Sequence, residues 1–254
     1  IDQTAPTTDR NEIPAFAQQF TVELSAKDEL SGVATTFYSI NGSEYIEGTS
    51  FEIETEGLNE ISYYSVDLAG NKEEVQSMKV NIDKTAHFTT SKAPVDTWVN
   101  KEVTVNLTAD DDNSGIAKTY YSIDGSNFVE GTSFVVGKEG VNKISYYSID
   151  KVGNSEEVKH VEVKLDQTAP MVNIDLEEEY ELHETLTLNY FAEDNLSGLT
   201  VEQVTFNGQS YKNGDKITFD KPGEYTLQIK VTDSVGLSTL VEKTFYVYIP
   251  VTLE

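Results

Sequence analysis

The sequence predicts an all-β protein of three β-sandwich domains that follow one another in an extended array. One eleven-residue segment occurs three times, and its copies begin at residues 61, 144 and 227, which gives two equal intervals of 83 residues. Short strand patterns separated by turn residues fill each interval, and no amphipathic helix interrupts them. The chain is therefore three versions of one unit, each of a size typical of a β-sandwich.

A short linker phrase marks the start of each unit. It reads Ile-Asp-Gln-Thr-Ala-Pro at residues 1–6, and near copies begin at residues 82 and 165. The proline favours an extended approach into the following strand. We therefore predict three domains at 1–82, 83–165 and 166–254. We interpret the chain as a piece of a longer protein whose targeting signals lie outside it.

The middle unit shows the order of the predicted elements. An alternating strand at 103–107, matched by 186–190 in the third unit, leads into an acidic loop at 111–115. The next strand, at 120–123, runs into Asp-Gly, a strong hairpin signal, and a last strand at 158–163 closes the unit. With the recurring strand between the hairpin and the last strand, this order is typical of immunoglobulin-like and fibronectin type III-like sandwiches.

The third copy of the recurring strand shows which side chains face the core. Apolar Leu227, Ile229 and Val231 alternate there with Gln228, Lys230 and Thr232, the pattern of a half-buried strand. The same alternation in the second copy, 83 residues earlier, predicts that Ile144, Tyr146 and Ser148 are buried. The residues between them are predicted to face outward, namely Ser145, Tyr147 and Ile149.

Several segments of the first two units resemble a known bacterial repeat family. They are Ser-Gly-Val-Ala at 31–34, Tyr-Ser-Ile-Asn-Gly at 38–42 and Tyr-Tyr-Ser-Val-Asp-Leu-Ala-Gly-Asn at 63–71, with second copies within 114–125 and 146–154. They resemble the repeats named after a leptospiral outer-membrane protein, and 98–107 is similar to the opening strand of related bacterial Ig-like repeats. The third unit resembles only a generic bacterial Ig-like domain. The resemblance implies tandem accessory modules of large exported or surface-bound bacterial proteins.

The composition argues against several classes of function. There are 18 Lys and Arg against 44 Asp and Glu, a formal charge of −26 that would repel nucleic acids and anionic membrane surfaces. We expect no nucleic-acid partner and no membrane insertion, since no apolar run approaches 18 residues. The three histidines, His87, His160 and His183, show no metal or catalytic spacing, so we expect them at the surface and predict no enzyme.

Outward aromatic residues are one candidate site. The strand phase predicts that Phe37 lies beside Tyr64, and Tyr120 beside Tyr147, on neighbouring strands. Trp98, the only tryptophan, precedes the first core strand of the second unit. These rings could hold polysaccharide or a surface protein. They could equally stabilise the sheets by stacking, and Trp98 could cover the end of the sandwich.

Acidic residues at the domain junctions are a second candidate site. In a sandwich of this type the acidic loop, the loop after the recurring strand and the incoming linker lie at the same end. We therefore expect Asp111 and Asp150 near Asp83 at the first junction, joined by Glu56. At the second junction we expect the corresponding set, namely Asp166, Asp194, Asp233 and Glu139. Such clusters predict calcium, although aspartates in loops also accept backbone N–H groups without a metal.

These features predict a non-catalytic extracellular spacer within a larger bacterial secreted or cell-surface protein. Its partners would be the other domains of that protein, and it would hold a catalytic or anchoring part away from the cell wall. The alternative is an adhesion or carbohydrate-binding module. That module would use the aromatic faces of the first two units to hold cell-wall or matrix polysaccharide, or a surface protein.

Overall fold

The computed structural model describes residues 1–251, so the last three residues of the predicted third domain lie outside the described residues. The described part contains 24 strands and no helix. Accordingly, no helix in residues 1–251 could cross a membrane. The strands form separate groups of sheets in repeat 1 (1–82), repeat 2 (83–165) and repeat 3 (from residue 166), and the predicted all-β fold of tandem sandwiches is confirmed.

Repeat 1 is a sandwich of two antiparallel sheets. Its strands are β1 (Thr7–Arg10), β2 (Phe20–Lys27), β3 (Val33–Ile40), β4 (Ile46–Glu47), β5 (Ser50–Ile53), β6 (Gly57–Asp67) and β7 (Gln76–Ile82). One sheet has the order β1-β2-β5 and the other the order β4-β3-β6-β7. The recurring strand of the sequence is the second half of β6, in the middle of the larger sheet.

Repeat 2 has the same topology. Its strands are β8 (Phe88–Lys92), β9 (Trp98–Val99), β10 (Val103–Asp110), β11 (Ile116–Ile123), β12 (Val129–Glu130), β13 (Ser133–Val136), β14 (Gly140–Asp150) and β15 (Lys159–Leu165). The smaller sheet has the order β13-β10-β8 and the larger β12-β11-β14-β15-β9. The short strand β9 pairs in parallel with β15 at the edge of the larger sheet.

Repeat 3 keeps the larger sheet and divides the smaller one. Its strands are β16 (Met171–Ile174), β17 (Glu179–Glu181), β18 (Thr185–Thr187), β19 (Tyr190–Glu193), β20 (Leu199–Phe206), β21 (Gln209–Tyr211), β22 (Lys216–Thr218), β23 (Gly223–Asp233) and β24 (Ser238–Tyr248). The large sheet has the order β17-β24-β23-β20-β21. The opposite face consists of two separate pairs, β16-β19 and β18-β22.

The predicted single strand at 186–190 is therefore interrupted. Leu188 lies between β18 and β19, where its carbonyl accepts the N–H of Gly214 and its own N–H donates to the carbonyl of Asp215. The Asn213 side chain also accepts the N–H of Tyr190. A turn thus takes the hydrogen bonds that a neighbouring strand would otherwise make, which splits the strand in two.

Each repeat has its own hydrophobic core between its sheets. The buried core of repeat 2 consists of Val105, Leu107, Phe134, Val136, Ile144, Tyr146 and Val163. Within residues 1–251, the buried clusters of the other two repeats likewise draw on one repeat each. Separate cores are what self-contained units require. That each repeat folds by itself stays a prediction.

The predicted phase of the recurring strand is confirmed in β14. Ile144 and Ser148 are fully buried and Tyr146 is 7% exposed, whereas Tyr147 is only half-buried. The Asp-Gly and Asn-Gly turns also form as predicted, since both residues of each turn have positive φ, as at Asn207 (43°) and Gly208 (78°). In repeat 3 this turn makes a two-residue hairpin in which Phe206 pairs with Gln209.

Candidate functional sites: carboxylate clusters and aromatic faces

Each repeat gathers three metal-ligand-type side chains where the linker enters. In each group, one possible ligand atom per residue lies within 4.8 Å of the others. The groups are cluster 1 (Asp2, Asp28 and Asp67), cluster 2 (His87, Asp111 and Asp150) and cluster 3 (Asp166, Asp194 and Asp233). The sandwich topology explains these groups, because the acidic loop and the loop after the recurring strand meet beside the linker.

Most of these aspartates hold backbone loops in place. Asp111 Oδ1 accepts the N–H groups of Asn113 at 3.0 Å and Gly115 at 2.6 Å. Asp150 Oδ1 accepts the N–H groups of three consecutive residues, Val152, Gly153 and Asn154. These are the Asx-type turns that the sequence left open as the alternative to metal binding.

The linker aspartates tie the linker to the acidic loop. Asp83 accepts the N–H groups of Ser114 at 3.0 Å and Thr85 at 3.3 Å, and Asp166 accepts that of Ser197 at 3.1 Å. Burial raises the pKa of the Asp83 carboxyl, but the hydrogen bonds from Ser114 and Thr85 outweigh burial and hold that pKa below its ordinary value. Asp83 is therefore a charged, buried anchor.

The two glutamates reach the junctions from the preceding repeat. Glu56 accepts the N–H of Lys84 at 2.7 Å and a side-chain N–H of Asn113 at 3.2 Å. Glu139 accepts the N–H of Gln167 at 2.8 Å and the hydroxyl of Thr168 at 2.7 Å. The structure thus places both glutamates on the linker, as expected, but outside the three clusters. Asp83 is outside cluster 2 as well.

Sequence reasoning missed cluster 1 and the role of His87. The 83-residue spacing relates Asp28 to Asp111 and Asp67 to Asp150, and this signal could have found cluster 1. His87 was expected at the surface, and that expectation is wrong: the residue is 7% exposed, with Nε2 3.6 Å from the Glu156 carboxylate. It occupies the last position of the linker phrase, where the chain turns into the sandwich. His160 and His183 are exposed as expected.

The aspartates at the end of the recurring strand differ in one amide donor. In repeat 1 the side-chain N–H of Asn71 donates to Asp67 Oδ2 at 2.7 Å, and in repeat 2 Asn154 donates to Asp150 Oδ2 at the same distance. Burial raises the pKa of the Asp67 carboxyl, but the donors of Asn71 outweigh it, so the pKa lies below its ordinary value. Repeat 3 has Leu237 at this position. Asp233 Oδ2 is buried there without a hydrogen-bond partner in the described part of the chain.

The aromatic faces form as predicted and contain one more ring than predicted. Phe37 stacks on Tyr64, and Tyr120 on Tyr147, with ring centroids 5.2 Å apart in both pairs. A third ring then packs edge-on at 5.0 Å, Tyr45 in repeat 1 and Phe128 in repeat 2. The third rings lie 83 residues apart, so the repeat spacing could have predicted them.

The faces are partly open to solvent, and they are confined to the first two repeats. The third ring is the most exposed, at 41% for Tyr45 and 42% for Phe128. In repeat 3, Gln203 pairs with Lys230 at the place of the stacked rings. Trp98 is half-buried in β9, which β15 separates from the strands of the aromatic face. The structure therefore does not bring Trp98 together with the other predicted rings.

Comparisons with known proteins identify no family. No protein family and no curated protein matches the chain. Similar solved structures include three N-terminal domains of the bacteriophage RB49 Highly Immunogenic Outer Capsid protein (Hoc), at 11% identity and TM-score 0.43, covering 98% of this chain and 99% of that one. Fibronectin(III)-like modules of Clostridium thermocellum CbhA match at 14% identity and TM-score 0.33, covering 63% of this chain and 95% of that one. Membership in the leptospiral-type repeat family stays a prediction.

Proposed function

We propose that the chain is a non-catalytic extracellular spacer of a larger bacterial surface or secreted protein, and that its junctions hold consecutive repeats at fixed angles. The supporting observation is that both junctions are bonded from two sides. In the first linker, Asp83 accepts the N–H of Ser114 in repeat 2, and the next residue, Lys84, donates its N–H to Glu56 of repeat 1. A spacer that holds another domain at a fixed distance and direction requires stiff connections between its units.

Direct contacts between repeats add to these bonds. The amide of Gln18 donates to Asn154 Oδ1 at 2.9 Å across the first junction. Across the second junction the amide of Asn100 donates to the carbonyl of Val235 at 2.9 Å. Glu139 also binds the second linker. Each junction therefore combines a bonded linker with direct hydrogen bonding between the bodies of neighbouring repeats.

The experiment compares the full chain with the double variant Glu56→Ala/Glu139→Ala. We expect the three repeats of the unmodified chain to tumble together in NMR relaxation and to give an elongated scattering profile. The double variant should show more independent tumbling, because each glutamate supplies the side-chain hydrogen bonds from the preceding repeat to the linker. The control Glu52→Ala/Glu162→Ala removes two exposed mid-strand carboxylates and should change nothing. Independent tumbling in the unmodified chain would refute the spacer.

A second candidate function is binding of polysaccharide at the aromatic faces. The observation in its favour is the three-ring arrangement, which recurs in two repeats with an exposed third ring. The exposed third ring adds aromatic surface on which a sugar can stack. Glycan-array binding lost in Tyr45→Ala/Phe128→Ala, but kept in the control Val129→Ala, would support this function. Absence of binding by the unmodified chain would leave the spacer alone.

A further inference from the structure

We propose that repeat 3 binds one calcium ion at cluster 3, between Asp166, Asp194 and Asp233, and that the matching clusters of repeats 1 and 2 bind none with comparable affinity. The proposal is independent of the spacer function. It rests on the replacement, in repeat 3, of an asparagine by Leu237.

The unpartnered oxygen of Asp233 is the first observation. Asp233 is 1% exposed, and its Oδ1 accepts the N–H groups of Val235 at 3.0 Å and Leu237 at 2.8 Å. Its Oδ2 has no donor in residues 1–251, although Asn71 and Asn154 supply one at this place in the other repeats. Buried carboxylate oxygens are normally hydrogen-bonded or bound to a cation. A cation would give Asp233 Oδ2 the partner that leucine cannot supply.

The other two carboxylates are oriented to share that cation. Backbone donors to Asp194 reach only Oδ1, from Leu196 and Gly198, which leaves Oδ2 for a ligand. Asp166 is fully buried and accepts one N–H on each oxygen, so each oxygen keeps a lone pair. No ion pair in the described chain reaches any of the three.

The geometry fits calcium. One oxygen from each aspartate lies within 4.8 Å of the others, which agrees with two oxygens on opposite sides of an ion bound at about 2.4 Å. Calcium takes six to eight oxygen ligands, so water must supply the remainder. A cleft of about 550 Å³ lined by Glu139, Asp166, Thr168 and Asp194 lies beside two of the three aspartates and has room for water. Magnesium demands shorter bonds and stricter octahedral geometry, and it serves as the comparison ion.

The test titrates calcium chloride into the chelator-treated full chain while amide NMR shifts and melting temperature are followed. We expect one site, with a dissociation constant of about 10⁻⁴ to 10⁻³ M, typical of extracellular modules. The amide signals of Leu196, Ser197 and Val235 should shift, since their N–H groups donate to the ligating aspartates. Asn113 and Ser114 of repeat 2 should not. Magnesium at equal concentration should produce smaller changes.

Leu237→Asn is the decisive variant. It restores the amide that the other repeats carry at a half-buried position, so the fold should persist while calcium affinity falls by about tenfold or more. The matched control Leu240→Asn changes an exposed leucine of the same region and should leave binding unchanged. Asp233→Asn provides a second loss-of-binding variant. No shifts up to about 10 mM calcium, equal shifts in all three repeats, or unchanged affinity in Leu237→Asn would overturn the proposal.

Discussion

Repeats 2 and 3 have the same large sheet, but their interiors differ where the first strand meets the recurring strand. In repeat 2 the buried Ser148 hydroxyl bonds the hydroxyls of Thr89 at 2.7 Å and Thr119 at 2.8 Å. The Glu156 side chain, 5% exposed, accepts the N–H groups of Thr89 and Ser148 beneath them. Repeat 3 has the fully buried Val231 in place of Ser148.

The interior of this sandwich, between the first strand and the recurring strand, can therefore be filled by a polar network or by apolar side chains. Repeat 1 uses the polar solution too, with Ser65 between Thr8 and Thr36, and Glu73 beneath. In repeat 3 the position of Glu156 is Thr239, whose hydroxyl donates to the carbonyl of Pro170. Buried networks fix one geometry but are costly when a member is lost. Repeats 1 and 2 should therefore respond to substitution more sharply than repeat 3, and repeat 2 also to acid.

The largest effect should come from the core face of the recurring strand. Tyr146→Ala should reduce the stability of repeat 2 by about 3 kcal/mol or more, because it removes a buried ring. Tyr147→Ala, on the outer face, should cost about 1 kcal/mol, mostly from its stacking with Tyr120. Amide hydrogen exchange of repeat 2 in the full chain measures both. Equal losses in the two variants would contradict the register.

Loss of the buried carboxylate should follow in size. Glu156→Ala leaves two buried backbone N–H groups without their acceptor and removes the carboxylate 2.7 Å from the Lys159 ammonium, which keeps its bond to the carbonyl of Thr89. We expect a loss of about 2 to 4 kcal/mol. Thr239→Ala at the corresponding position of repeat 3 should cost about 1 kcal/mol. Hydrogen exchange reports both repeats in the same molecule. Similar losses in both would show that the polar network adds nothing to repeat 2.

Acid should destabilise repeat 2 through the same side chain. Burial raises the pKa of Glu156, but Lys159 and Thr89 outweigh burial, so the folded-state pKa lies below its ordinary value. The resulting stability is fully present above the unfolded pKa of about 4.3 and is lost as pH falls from there through the lower folded value. In Glu156→Gln the stability of repeat 2 should therefore depend less on pH between roughly pH 5 and pH 3. An unchanged pH profile in that variant would contradict the assignment.

The smallest effect should come from converting one interior to the other. Ser148→Val places the valine of repeat 3 in repeat 2, where it gains apolar burial but removes a hydroxyl shared by Thr89 and Thr119. We expect a net loss of about 1 kcal/mol, since those two hydroxyls lose a buried partner. The triple variant Thr89→Val/Thr119→Val/Ser148→Val should recover part of it. A larger loss in the triple variant would show that the hydroxyls have a role beyond bonding one another.

Much of the fold could be predicted from the sequence because its signals are periodic. Alternation in 227–232 and the constant spacing determined the phase of β14 and the pairing of Tyr120 with Tyr147. The sandwich topology alone was enough to predict that Asp194 and Asp233 lie near Asp166. The buried network could not be predicted, because β8 at Phe88–Lys92 lacks apolar alternation and gives no strand signal. Without that strand, Glu156 looks like an ordinary loop residue.

The consequence of Leu237 also required atomic positions. The sequence shows only that repeat 3 lacks the asparagine that the first two repeats have at this position. The loss of a donor to Asp233 Oδ2 follows from the 2.7 Å contacts that Asn71 and Asn154 make in the other repeats. Likewise, the burial of His87 could not be inferred from a position that proline occupies in the other two linker phrases.

The measurement that tests the account most directly is the amide NMR spectrum of residues 83–165 expressed alone. Separate cores predict a dispersed spectrum that matches repeat 2 within the full chain, with exchange protection retained along β14. Shifts should be confined to the two junctions. At the first they affect Lys84, Thr85 and Asn113, which lose Glu56, and Asn154, which loses Gln18. At the second they affect Asn100 and Glu139, which lose their partners in and before repeat 3. An unfolded fragment, or shifts spread through the core of repeat 2 around Ile144 and Val163, would contradict the division into three self-contained sandwiches.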